Sequence, residues 1–392
     1  MAQRILAHVN PEVLRWARES AGYDIDIVAR KTGVTVERLQ AFEAGALCPT
    51  LNQLRNIAKV YKRPTAVFYR STTPTEPKSI HDFRMLPDTE RVKIPELVFE
   101  LRRAYERRAI ALEIVRQLGE KPRTKLINAT IDEDPAMLAK RVRDMLTVSV
   151  EEQYSWKDEY AALRNWIRAV ESLGILVFQV SGIDVDRFRG FSTRERPLPS
   201  IGLNAQDSPR GRIFTLMHEL VHLVLYQEGI NVLYEESSHE VFCNMVAGAV
   251  LVPEEEFLKE EVVRYNTGKL WDDTQLRVLA NKYSVSTEVV LRRLLLLGRT
   301  TSRVYREKRI QFQEVLDGSQ KSGGGFLQYY KKVFRNNGPA YTNLVLTAYH
   351  RQSISIPSML DYLGGIKLSH IDNIELELDR YTERGEMSHV LV

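Results

Sequence analysis

From Ile213 to Leu225 every residue is apolar except Thr215, His218, Glu219 and His222. This run constrains the fold more than any other stretch. A segment so apolar is buried, and polar side chains carried into such a place need partners. On a helix, positions i and i+4 share a face, so both imidazoles aim at one point with Glu219 beside them. Two imidazoles at that spacing with an adjacent carboxylate form the donor set of a metal site. Zinc accepts imidazole nitrogen and carboxylate oxygen, and a reactive zinc site keeps three protein ligands and a water. The ion makes that water acidic, and Glu219 stands ready to take its proton.

A third ligand is expected downstream. Residues 239–251 read as a second helix, ended by Pro253. Phe242, Met245, Val246 and Ala249 form its packing face. Glu240 and Asn244, four apart, share another face with Ala247 and Gly248, which are small enough to let two helices approach closely. Glu240 is the expected third ligand, and Asn244 the side chain that steadies a ligand from behind. His239 is the rival ligand, and Cys243 reads as a small buried residue.

The rest of the chain supplies context. Its 392 residues suggest two or three domains. Apolar residues make up 44% and charged residues 27%, which excludes wholesale disorder. Two cysteines, Cys48 and Cys243, form no disulfide framework and suit a reducing compartment. The first residues lack the apolar core of a secretory signal, and no uncharged apolar run reaches membrane-spanning length. The expected location is the cytoplasm, with no membrane partner.

The expected fold class is α+β and mostly helical. Residues 1–70 read as a small helical bundle with helices near 12–21, 25–32, 36–44 and 51–61. Gly33 ends the second, and Thr35 and Thr50 can cap the third and fourth. Residues 71–90 read as a linker, with Pro, Thr and charge dominating the stretch from Ser71 to Asp88. A domain over 91–300 follows, with helices at 92–118, 135–146, 151–173, 212–226, 239–251, 273–282 and 285–297. Short strand candidates lie at 174–180, 188–191 and 200–204. Residues 301–392 form a helical C-terminal region, with helices at 326–335, 340–350 and 356–363. Gly323–Gly325 lacks the Lys-Ser/Thr of a phosphate loop and reads as a hinge. His350, His370 and His389 are scattered.

Three groups of residues carry resemblances. Pro199-Ser-Ile-Gly-Leu-Asn204, Arg212 to His222, Glu240-Val-Phe-Cys-Asn244 and Leu251-Val-Pro253 together resemble the ImmA/IrrE metallopeptidases. The resemblance implies a gluzincin-like zinc endopeptidase of a bacterial or phage kind that cuts a repressor and releases its genes. It maps His218, His222 and Glu240 onto the zinc ligands, Glu219 onto the catalytic glutamate, and Asn244 onto the Asn of the ligand helix. It also implies that the strand at 201–204 edges the cleft and takes a substrate peptide by strand addition. Arg212, Tyr234 and His239 are equal candidates for stabilising an oxyanion.

The first 70 residues hold 11 Lys and Arg against 6 Asp and Glu, a net of +5, whereas the whole chain carries only +4. With Ala29, Gly33, Val34 and Leu39 spaced for a tight turn, they resemble an XRE-type helix-turn-helix domain. DNA-facing candidates are Thr35, Val36, Glu37 and Gln40, with Ala41 also outward. Gln40 suits adenine and Thr35 phosphate, whereas Glu37 repels phosphate, and no Arg or Lys is placed to read guanine. Gly323 to Tyr330, Asn336-Asn337-Gly338 and Tyr362-Leu-Gly-Gly365 resemble the tail of longer fusions of these two modules.

Two readings follow. In the first, the chain is a zinc endopeptidase whose substrate is a transcriptional repressor encoded nearby, with DNA as a partner of the first module. In the second, it is a transcriptional regulator or antitoxin-like binding protein with a structural or vestigial metal site and a neighbouring toxin as partner. A purely structural site has no use for Glu219, which favours the first.

Overall fold

The computed structural model describes residues 5–74, 94–225, 236–318 and 327–382. These fall into two compact units, one through Tyr105 and one from Glu106.

The first unit opens with α1 (Pro11–Ser20), α2 (Ile25–Thr32), α3 (Val36–Glu43) and α4 (Leu51–Val60), followed by a 3-10 turn at Thr65–Tyr69. The chemistry of their ends is local. Asn10 accepts from the Glu12 amide, Thr35 from Arg38, and Thr50 and Gln53 cap each other reciprocally. Gly33 closes α2 at φ 69°, a conformation that costs other residues. Leu14, Val28, Leu39, Phe42, Leu54 and Ile57 fill the core. Arg18 grips the largely buried Glu43 through Nε–Oε1 at 2.7 Å and Nη2–Oε2 at 3.0 Å, tying α1 to α3. Phe99, from α5 (Pro95–Gln117), joins the same core.

The second unit runs through α6 (Pro135–Leu146), α7 (Val150–Ser155) and α8 (Glu159–Glu171) into β1 (Leu176–Val180), β2 (Gly190–Thr193) and β3 (Ser200–Asn204). The metal-motif helix α9 (Pro209–Leu225) follows, then α10 (Glu236–Leu251). Next come α11 (Glu254–Lys259), α12 (Glu261–Arg264), α13 (Asp273–Tyr283), α14 (Thr287–Leu296) and α15 (Ser302–Gly318). The last described helices are α16 (Tyr329–Asn337), α17 (Pro339–His350), α18 (Ile356–Tyr362) and α19 (Ile371–Thr382).

The sheet order is β1-β3-β2. β1 runs parallel to β3 from Leu176 opposite Ser200 to Val180 opposite Asn204, and β2 runs antiparallel to β3 from Gly190 opposite Leu203 to Thr193 opposite Ser200. This corrects the expectation for 201–204. β3 is the central strand, both of its edges are already paired, and it has no ladder to offer a peptide.

The helix expected over 151–173 is also corrected: it is two helices. Asp158 accepts from the Ala161 amide at 2.7 Å and starts α8 afresh, while Trp156 folds back edge-on against Trp166 with ring centroids 5.2 Å apart.

One core joins α6, α8, the sheet, α9, α10, α13 and α14. The C-terminal helices cover the flank of β1, where Phe178 meets Tyr341 edge-on at 6.2 Å. At their joint, Gly338 has φ 79°, and a Cβ there would lie 2.1 Å from the Val177 carbonyl oxygen. Only glycine fits. The buried Glu171 carboxyl group accepts through Oε1 from the Ala340 amide at 3.2 Å, in the first turn of α17. Gly323–Gly325 and His389 lie outside the described residues, and His350 pairs at the surface with Glu375 at 2.9 Å.

Candidate metal centre

α9 buries Ile213, Leu216, Met217, Leu220, Val221 and Val224, so its polar stripe is held at a fixed angle. His218 and His222 occupy that stripe one turn apart, with ring centroids 4.7 Å apart and nearly perpendicular planes. α10 packs alongside through Phe242, Val246 and Val250 and carries Glu240 to them. His218 Nε2 lies 3.2 Å from Glu240 Oε2, His222 Nε2 lies 3.2 Å from Glu240 Oε1, and the two Nε2 atoms are 3.0 Å apart. Ligand atoms of the three residues all fall within 4.8 Å of one another. A tetrahedral ion with bonds of about 2.0–2.1 Å has ligand–ligand edges of about 3.3 Å. The donor set and its spacing therefore fit such an ion.

The electrostatics match. Burial disfavours a charged His218, but its hydrogen bond to Glu240 and the charges of Glu219 and Glu240 outweigh it and lift the imidazole above its ordinary value. Hydrogen bonds from His218 and His222 hold the Glu240 carboxyl far below the usual carboxylate range. Two acids thus focus negative potential on the imidazole pair, the field that a divalent cation neutralises. Glu240 remains 52% exposed in its side chain, so the group opens to solvent on that side.

Glu219 is only 9% exposed and makes no hydrogen bond or ion pair among the described residues. β2 passes close over it: a Cβ on Gly190 would lie 2.4 Å from Thr215 Cγ2 and 3.4 Å from Glu219 Cγ. A glycine lets the strand settle there. Cys243, one turn beyond His239, places Sγ 3.6 Å from His222 Nδ1. Burial, reinforced by the charges of Glu240 and Glu219, pushes its thiol up to about 12, so it acts as a neutral thiol. The sequence reading of Cys243 as a small buried residue missed this contact, which its i+3 offset from Glu240 could have signalled. Asn244, a turn on from Glu240, is partly buried and adds to the influences that favour a protonated His218.

The three candidates for an oxyanion donor separate. Arg212 turns to β1, donating from Nη1 to Gln179 Oε1 at 2.6 Å. Tyr234 lies outside the described residues. His239 is partly buried, and burial followed by the fields of His222 and Arg194 lowers its basicity. The spatial group is made by His218, His222 and Glu240, and His239 is not part of it.

In the first unit, Thr35, Glu37 and Gln40 are exposed on α3, Val36 is half-exposed, and Thr35 also serves as the N-cap. Hydrogen bonding to its own backbone amide and then to Thr35 lowers the Glu37 carboxyl. Arg38, overlooked in the sequence, is exposed too, with its guanidinium 5.8 Å from the Phe42 ring centroid. The i, i+4 spacing of Arg38 and Phe42 would have found it.

Comparison with known families follows the same division. Residues 170–295 match the family model described as the IrrE N-terminal-like domain, a peptidase family, and residues 14–68 match the model described as helix-turn-helix. No curated protein matches the chain. Among the described residues no helix is long and apolar enough to cross a membrane. The chain therefore resembles a fusion of an XRE-type helix-turn-helix, the DNA-binding kind, with a metallopeptidase domain of the ImmA/IrrE kind.

Proposed function

We propose that the chain is a zinc-dependent endopeptidase that cleaves a protein partner, a transcriptional repressor encoded nearby, in the cytoplasm. The convergence of His218, His222 and Glu240 beside an unengaged Glu219 carries this reading. The proposed arrangement is a helix-turn-helix domain over 1–70, a linker over 71–90, a peptidase domain over 91–300 and a helical C-terminal domain over 301–392.

His218, His222 and Glu240 would hold the ion, which when bound supplies Lewis acidity toward a peptide carbonyl and acidifies a water. Glu219 takes the water's proton and returns it to the departing amine. The apolar wall of α9 keeps bulk water from Glu219. Cys243 steadies His222 through Nδ1, and Asn244 steadies His218. The exposed face of α3, with Thr35, Val36, Glu37 and Gln40, meets DNA, and the basic first module supplies phosphate contacts.

Glu219→Gln tests the reading. The variant retains its metal, measured by elemental analysis, and loses about 10²–10⁴ in the rate of cutting a co-expressed repressor. Cutting at the parental rate would remove Glu219 from the chemistry. A gel shift at two salt concentrations checks the DNA arm: a specific shift that weakens with salt is the expected result.

A further inference from the structure

The C-terminal end of β1 carries an arrangement that the metal centre does not use. Gln179 and Ser181 are two residues apart, a spacing that puts side chains on one side of an extended chain. Each holds a guanidinium. Arg212, in the second turn of α9, donates to Gln179 Oε1 at 2.6 Å, and Arg335, from α16, donates through Nη2 to Ser181 Oγ at 2.9 Å. Arg335 otherwise lies 3.4 Å from the side-chain amide of Asn336, whose nitrogen is oriented to donate to Ser181 Oγ and to the Gln179 and Lys332 carbonyls, so that amide gives Arg335 no acceptor.

Arg212 is 7% exposed, and its Nε is buried without a partner. Among the described residues neither arginine has a carboxylate at ion-pair distance. Of the nearby acids, Glu159 pairs with Arg210 at 2.8 Å and Asp207 lies 3.5 Å from Arg189, and both act on Arg212 only through their fields. Burial lowers the basicity of both guanidiniums, and the charge of Arg335 lowers that of Arg212 further. Two like charges half out of water, with most of their donors unused, call for an anion.

We propose that Arg212, Arg335 and Ser181 form a binding site for a phosphate group, free or carried on a small metabolite. Two guanidinium forks match the charge of about −2 and the several oxygens of a phosphate. The position agrees with the chemistry. Val180 and Asn204 end the two parallel strands side by side, and ligands of open α/β sheets settle outside the carboxyl ends of such strands. The first turns of α9 add the positive end of a helix dipole. A phosphate held there joins α16 to the helix that carries His218 and His222, so it links the C-terminal helices to the metal centre.

The test is calorimetric titration of the full chain with inorganic phosphate and, separately, with AMP, at constant ionic strength in chloride. The expected result is one saturable site for at least one of them, weakened tenfold or more by Arg335→Gln and less by Arg335→Lys. Tighter inorganic phosphate identifies the free anion, and tighter AMP a phosphorylated metabolite. Ser181→Asp supplies the missing negative charge from within. It is expected to abolish the binding and to raise the melting temperature in phosphate-free buffer, a readout that survives if Arg335→Gln does not fold. Because the metal centre and the basic first module are unchanged in these variants, binding there does not mimic the result. Failure of both anions to bind, or binding that Arg335→Gln and Ser181→Asp leave intact, overturns the proposal.

Discussion

At Glu240 one carboxylate spans two imidazoles, one oxygen to each, at equal distances of 3.2 Å. Replacing it with Gln keeps the shape and removes the charge. Metal affinity, measured by competition with a chromophoric chelator, is expected to fall at least about 100-fold, more than loss of an outer-shell partner causes. His239→Ala is expected to leave the affinity unchanged. The difference between these neighbours was legible in the sequence only through facing: Glu240 shares a helical face with Asn244 and Gly248, while His239 sits a hundred degrees away. His218, Glu219 and His222 were legible because an apolar run leaves polar residues conspicuous. The Cys243 contact and Arg38 were overlooked, although the i+3 offset of Cys243 from Glu240 and the i, i+4 spacing of Arg38 and Phe42 stand in the sequence.

Among the elements, β2 and α9 touch where neither strand nor helix could be ranked from sequence. Gly190 allows that contact, and Gly190→Ala forces a methyl to 2.4 Å from Thr215 Cγ2. The expected cost is about 1–3 kcal/mol in urea unfolding, part of it recovered by adding Thr215→Ser, which removes the opposing methyl. Helix positions were legible where caps or glycines mark them, as at Thr35, Thr50 and Gly33. α15 was missed because five of its first eight residues, Ser302 to Arg309, are charged and mask the apolar face on which Tyr305 and Phe312 pack against the core. α19 was missed although Ile371, Ile374, Leu378 and Tyr381, all buried, repeat at helical spacing. The strands were found, but their order was not. Which strand lies in the middle depends on pairings between distant segments, and nothing in Ser200–Asn204 alone reveals that β2 returns to its far side.

For the whole molecule, the joint between β1 and the C-terminal helices rests on a buried acid. Burial raises the Glu171 carboxyl to about 8, with the Ala340 amide opposing the shift. The folded state therefore keeps a proton that the unfolded chain gives up at ordinary carboxylate values. Stability is unaffected below pH 4.5 and declines between about pH 4.5 and 8, at roughly 1 kcal/mol per pH unit, then levels off. Glu171→Gln is expected to flatten that slope, as read from thermal unfolding at pH 5, 6.5 and 8. Equal slopes in both proteins would show that Glu171 is ionised in the fold.

The three donors of the candidate metal centre come from two helices, with seventeen residues between His222 and Glu240 in the sequence. Any ion they share would thus be a clasp as well as a reagent, joining two helices that otherwise rely on packing. Ligation that favours the folded form raises the melting temperature with metal concentration, and dialysis against a chelator lowers it. On the proposed reading, a cell short of the metal would hold a protein that is both idle and easier to unfold, so that supply of the ion would govern how long the molecule lasts as well as whether it works.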